Sequence, residues 1–148
     1  WRTYAAILVS ALTWFGVLYL LFAPPAHADP IPTIPGTVFR VVDGDTFDGT
    51  FQIWPAHVVT ARVRLRGIDT PEMKGKCPKE RQAALKAQEI LKLLVLGART
   101  VRLERLGRDR YFRLDADVIA DSINVGAILV KKGVARPYTG DGPRGSWC

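Results

Sequence analysis

The stretch Val58-Val-Thr-Ala-Arg-Val-Arg-Leu-Arg-Gly-Ile68 decides how the rest of the chain is read. Val59, Ala61, Val63, Leu65 and Gly67 alternate with Thr60, Arg62, Arg64 and Arg66. A period of two residues is that of a strand with one face on a core. The other face carries a row of three arginines, part of which is expected to be functional. Upstream, Gly36 to Val42 has the same β-branched, alternating character, and Asp43-Gly44-Asp45 makes a tight turn. A second strand runs from about Thr46 to Trp54 and is broken at Pro55-Ala56. Downstream, Pro78 suits the first turn of a helix, and Ala84, Ala87, Leu91 and Leu94 form its apolar stripe between Lys79 and Leu96. Gly97 is placed to cap that helix. Arg99 to Arg105 and Tyr111 to Ala120 read as two more strands, turned at Gly107 to Asp109. Asn124 to Lys132 reads as a short helix ending at Gly133, and the Gly- and Pro-rich tail from Pro137 to Cys148 as irregular. The order βββαββα predicts a β-rich α+β fold: a five-stranded OB-type barrel with two helices. Such a barrel is a binding platform and does not by itself specify an enzyme.

The chain has 148 residues and room for one domain. The formal net charge is +7, one unit of it from Arg2, which biases the domain towards anionic partners such as nucleic acid. Residues 1–28 are of another kind. Arg2 precedes a run without charge from Tyr4 to Ala23, roughly 20 residues and long enough to span a bilayer as a helix. Ala26-His27-Ala28 fits a signal-peptidase site, with cleavage before Asp29. The expectation is a cleaved signal peptide, with an uncleaved membrane anchor as the alternative. Either places the domain outside the cytoplasm: secreted, periplasmic or tethered. The chain starts at Trp1, and a short initiating segment is expected before it. Residues 29–35 carry Pro30, Pro32 and Pro35 and read as an extended linker, leaving 36–148 as the domain. In an exported protein the two cysteines, Cys77 and Cys148, read as one disulfide.

Three segments could carry chemistry: Asp43-Gly-Asp-Thr46, Arg64-Leu-Arg-Gly-Ile-Asp-Thr-Pro-Glu72 and Arg110-Tyr-Phe-Arg113. Asp45 closes a turn at the start of one strand and Asp69 ends the next, so both can reach one rim of a barrel. Converging carboxylates repel and invite a cation. With oxygen ligands alone, including the carbonyl of Thr70, that cation is calcium or magnesium rather than zinc. Arg64 and Arg113 match the equatorial oxygens of a phosphodiester with paired hydrogen bonds. Glu72 can hold or deprotonate an attacking water. Each residue alone has a plain reading as a turn, a helix start or a surface ion pair. The combination is what a metal-assisted phosphodiesterase needs.

The same segments, with Val125-Gly-Ala-Ile-Leu-Val-Lys-Lys-Gly-Val-Ala135, resemble the staphylococcal nuclease family over roughly Thr37 to Tyr138. The resemblance implies an OB-type barrel and Ca2+-dependent cleavage of DNA and RNA to 3′-phosphates. It implies that Asp45, Asp69 and the Thr70 carbonyl bind calcium. Arg64 and Arg113 would hold the scissile phosphate, Glu72 would act on water, and Tyr111 and Tyr138 would flank the nucleotide. There are departures from the family's pattern. Phe112 stands where the family has glycine, and Asp115 and Asp117 add carboxylates expected on the strand's outer face. The family's third helix has no counterpart here; Trp147 is expected to pack on the barrel while Cys148 bonds Cys77.

Active nuclease is the leading expectation, acting as a monomer on the phosphate backbone of DNA and RNA with little sequence preference. The alternatives are a catalytically weak OB-barrel module that binds nucleic acid or a protein, and a wall-associated domain whose basic face binds anionic polymer. The presence of Asp45, Asp69, Arg64, Glu72 and Arg113 together favours the enzyme.

Overall fold

Five long strands alternate apolar and polar residues, and the chain closes them on one another. A computed structural model describes residues 32–109 and 111–148. The element order is β1 (Thr33–Val41), β2 (Thr46–Trp54), β3 (His57–Leu65), β4 (Ile68–Asp69), α1 (Pro78–Leu96), β5 (Val101–Arg108), β6 (Leu114–Ala120), β7 (Ile123–Asn124), α2 (Val125–Lys131) and β8 (Arg136–Pro137). The main sheet runs β3-β2-β1-β5-β6-β7, antiparallel throughout. Parallel pairing of β3 with β6, Val63 opposite Leu114 and Leu65 opposite Ala116, closes five strands into a barrel. The expected OB-type α+β architecture is therefore the one observed. The signal-or-anchor segment 1–28 lies outside the described residues, as does Arg110.

The barrel interior is filled by the inward residues of each strand: Phe47 and Phe51, with ring centroids 6.5 Å apart, Val63, Leu65, Leu103 and Val118. Helix α1 closes one side with Ala84, Ala87, Leu91 and Val95 fully buried, and the expected Leu94 packs half-buried against the same core. Cys77 caps its N-terminus, where the sulfur accepts from the Glu80 amide at 3.4 Å, and Pro78 follows at the first turn. Gly97 caps the other end in a right-handed conformation. Helix α2 contributes Val125 and Leu129 and is capped by the Asn124 side chain, which accepts from the Ala127 amide at 2.9 Å.

Several boundaries differ from the sequence reading, among them β5, which runs from Val101 to Arg108 through part of the expected turn at Gly107 to Asp109. Strand β1 begins at Thr33, inside the proline-bearing stretch, because Thr33–Gly36 pairs with Val101–Glu104 of β5. Strand β6 begins at Leu114, not Tyr111, because Asp109 to Arg113 forms a closed turn: the Phe112 amide donates to the Asp109 carbonyl at 2.9 Å and the Asp109 amide to the Arg113 carbonyl at 3.0 Å.

Candidate active site

The turn between β1 and β2 presents the first acid. Asp43 Oδ1 accepts from the Asp45 amide at 3.1 Å, and the Asp45 carbonyl accepts from Leu65 of β3 at 2.8 Å. Gly44 fits because a Cβ there would press on Ala87 of α1 and on Thr70. Asp45 is consequently buried, with Oδ1 accepting from Thr46 Oγ1 at 2.8 Å. Burial pushes its carboxyl up to about 7, against the opposing pull of Arg64 and with a further push from Asp43. Arg64 alone does not offset the burial, and a divalent cation beside this carboxylate would hold it ionised.

Arg64 leaves β3 on its polar face and turns back over the barrel rim. One nitrogen, Nη2, lies 2.9 Å from Asp45 Oδ2 and donates to the Ile68 carbonyl at 2.9 Å, while Nη1 donates to the Leu65 carbonyl at 3.1 Å. Its side chain is 16% exposed, so the guanidinium is fixed before any substrate arrives. Asp69 and Thr70 follow on β4 and the loop after it, both buried. The β4 strand is held by β8, Asp69 opposite Arg136, and the Tyr138 amide donates to the Gly67 carbonyl at 2.9 Å. That pairing brings Tyr138 to the same opening.

Glu72 projects from the loop between β4 and α1, and its side chain is 54% exposed. Glu80 braces this loop from inside. It is buried, and its carboxylate accepts from the Lys76 amide at 2.9 Å and the Glu72 amide at 3.4 Å. Arg81 adds a hydrogen bond to the Gly75 carbonyl at 2.9 Å. At the sequence level Glu80 reads only as an acid favoured in a helix's first turn.

Arg113 arrives from the Asp109–Arg113 turn. Its Nε donates to Asp109 Oδ2 at 2.7 Å, and its guanidinium carbon lies 5.5 Å from the centre of the Tyr111 ring. Burial raises the Asp109 pKa, but hydrogen bonds from the Arg113 side chain and from the Arg113 and Tyr111 amides outweigh it and hold the carboxyl below its usual range. Phe112 takes the left-handed φ of 61° and points outward, 79% exposed. The turn thus keeps a glycine-like backbone without glycine. Asp115 and Asp117 do face away from the core, as alternation requires, but Asp115 does not simply face solvent. It lines the cavity and takes a forked ion pair from Arg66, at 2.6 Å to Nη2 and 3.2 Å to Nε. Arg113 is thereby left to Asp109, and Asp117 accepts from Arg105 Nε at 2.6 Å.

Asp45, Arg64, Thr70, Glu72, Tyr111, Arg113 and Tyr138 all line one open cavity of about 850 Å³. Asp69 stands behind it, reached through a residue that sequence reasoning missed. Arg144 of the C-terminal tail donates from Nη2 to the Thr70 carbonyl at 2.9 Å and ion-pairs with both Asp69 and Glu72. Burial disfavours its charge, but the Glu72 and Asp69 carboxylates outweigh this and raise its pKa. The Cys77–Cys148 disulfide is present, and Trp147 donates from Nε1 to Asp69 Oδ2 at 3.0 Å.

The donors at Asp45, Asp69 and the Thr70 carbonyl are all hard oxygens, and the buried Asp69 Oδ1 has the Arg144 guanidinium as its charged neighbour but no aligned hydrogen bond, a donor set that suits a hard divalent cation. Among the described residues, Asp45, Asp69 and Glu72 are not drawn into a single tight cluster. Among the described residues the group of three potential ligating side chains within 4.8 Å is Cys77, Glu80 and Cys148, two of them spent in the disulfide.

A small OB-type barrel whose rim carries acids, a water-accessible glutamate and fixed guanidinium groups has the parts that a phosphodiesterase acting on nucleic acid requires. Residues 62–145 match the family model described as staphylococcal nuclease homologue, and the chain belongs to that family. Among curated proteins there is no match to the chain. Membership makes this a nuclease-type domain of a generally metal-dependent family.

Proposed function

We propose that the domain is an exported, calcium-dependent nuclease that hydrolyses phosphodiester bonds of DNA and RNA with little sequence specificity. The observation that carries this reading is the single cavity lined by Asp45, Thr70, Glu72, Arg64 and Arg113. Asp45, Asp69 and the Thr70 carbonyl would hold Ca2+. When bound, the ion would offset charge on the phosphate and favour ionisation of a nearby water. Arg64, already fixed by two backbone carbonyls, would accept the phosphate without reorganisation. Arg113 would exchange Asp109 for the same phosphate and steady the leaving oxygen. Glu72, exposed at the cavity mouth, would orient the attacking water and take its proton. Tyr111 and Tyr138 at the walls suit stacking or edge contact with a nucleotide. None of these contacts reads a base edge, which accounts for low specificity. Export rests on the apolar run before Ala26-His27-Ala28 and would place the domain where calcium is plentiful.

The non-cutting binder is favoured by one observation: Arg113 and Glu72 are both engaged, with Asp109 and Arg144. Incubating plasmid DNA and single-stranded RNA with the protein in calcium, magnesium or chelator separates the two readings. Calcium-dependent fragments ending in 3′-phosphate support the nuclease; stable complexes without fragments in any condition support the binder.

A further inference from the structure

The C-terminal residues lie over the acidic end of the cavity and are held there by independent contacts. The disulfide ties Cys148 to Cys77, the residue that caps α1. The Arg136 guanidinium stacks on the Trp147 ring at 3.8 Å and donates to the Ser146 carbonyl at 2.9 Å. Trp147 donates to Asp69 Oδ2 at 3.0 Å. Within this strap Arg144 turns inward and engages the Thr70 carbonyl, Asp69 Oδ1 and Glu72 Oε1. Those three groups are the ones assigned above to the cation and to the water.

We propose that Arg144 is a tethered cation filling the metal position of the resting enzyme, so that the strap from Gly142 to Cys148 is an autoinhibitory segment that a divalent cation must displace. The inference rests on the metal-site reading and adds a built-in competitor to it. A guanidinium and a metal ion cannot both occupy the space between Asp69 Oδ1 and the Thr70 carbonyl. Arg144 sits four residues from a covalent tie, so its local concentration at the acids is high whatever the protein concentration. The apparent affinity for metal is lowered by the fraction of molecules in which Arg144 is in place. In the metal-free protein the same contact is stabilising, because it pairs the Asp69 and Glu72 carboxylates with a positive charge. Displacing the strap also moves the Trp147 indole off Asp69, which supplies an optical signal.

The test is calorimetric titration of CaCl2 into the metal-stripped full chain as wild type, Arg144→Gln and Cys148→Ser. Cys148→Ser keeps Arg144 but unties it, so a folding defect in one variant does not remove the comparison. Arg144→Gln is expected to bind calcium at least about ten-fold more tightly than wild type, and Cys148→Ser to shift in the same direction. Calcium should change tryptophan emission in wild type and leave it unchanged in Trp147→Phe. In chelator Arg144→Gln should melt below wild type, and in saturating calcium that deficit should vanish. Equal calcium affinity in wild type and Arg144→Gln would overturn the inference while leaving the metal site standing. Absence of divalent binding in every variant would overturn the metal reading and the inference with it.

Discussion

Arg64 Nη2 lies 2.9 Å from Asp45 Oδ2: Asp45 ends the turn that leads into β2, and the β2–β3 register sets the next residue, Thr46, opposite Arg64. One guanidinium thus links an acid proposed to bind metal to the carbonyls of Leu65 and Ile68 at the barrel rim. Arg64→Lys keeps the positive charge but loses the planar fork. It should fold and bind single-stranded DNA, yet cut about 100- to 1000-fold more slowly, the scale for losing one preorganised donor. Single-turnover cleavage with saturating enzyme measures this; a wild-type rate would remove Arg64 from the catalytic set.

Asp48 offers a prediction that is independent of catalysis. Its buried carboxylate accepts from Arg62 Nε at 2.7 Å and from Arg40 Nε at 2.8 Å. The Arg62 hydrogen bond, aided by Arg40 and against the cost of burial, holds its pKa below the ordinary 3.8. A carboxyl whose folded pKa is depressed stabilises the fold above its unfolded pKa, and that stabilisation is lost as pH falls through the folded value. Asp48→Asn should therefore melt below wild type by roughly 3–6 °C at neutral pH, for a loss of about 1 kcal/mol. The gap should stay constant down to about pH 4 and close below it. Calorimetric melts from pH 7 to pH 3 test this; a gap that widened in acid would contradict it.

Phe112 holds a left-handed backbone that costs a side chain about 1 kcal/mol and glycine almost nothing. Phe112→Gly should leave the Asp109–Arg113 turn intact and raise the melting temperature by a few degrees, with no loss of cleavage rate. A lower melting temperature would show that the exposed ring makes contacts worth more than the strain.

The Cys77–Cys148 bridge closes a loop with a sequence separation of 71 residues. Cys77→Ser with Cys148→Ser should cost about 4 kcal/mol on the chain-entropy scale. Urea unfolding measures it, and an unchanged midpoint would mean that the tail is held without the bridge.

The barrel was legible because its signals are local. Val59, Ala61, Val63 and Leu65 announce a strand by alternation, and Ala84, Ala87 and Leu91 announce a helix by their spacing. Where tertiary pairing overrides composition, the reading missed. Pro35 suggested a linker, but it sits opposite Arg102 in a ladder that reaches into the proline-bearing stretch. Tyr111 suggested a strand, but Asp109 captures the Tyr111 and Arg113 amides and folds the segment into a turn. Among the site residues, Asp45, Arg64, Asp69, Thr70, Glu72 and Arg113 stand in recognisable segments. Glu80 does not, since its inward carboxylate looks like a helix-start acid. Arg144 does not either: a lone arginine in a Gly- and Pro-rich tail has no periodicity. Only the cysteine pairing hinted that this tail returns to the barrel, and nothing local tells where a side chain four residues earlier would land.

Under the proposed function this cavity cuts nucleic acid with Glu72 acting on water beside a bound calcium ion. The most direct measurement of that reading is the single-turnover rate of supercoiled plasmid cleavage by wild type and Glu72→Gln, each in calcium and in chelator, with DNA binding measured alongside. Wild type is expected to cut in calcium and not in chelator, while Glu72→Gln binds DNA normally and cuts at least about 100-fold more slowly, the lower end for loss of a general base. Equal rates for the two proteins, or wild-type cutting undiminished by chelator, would contradict it.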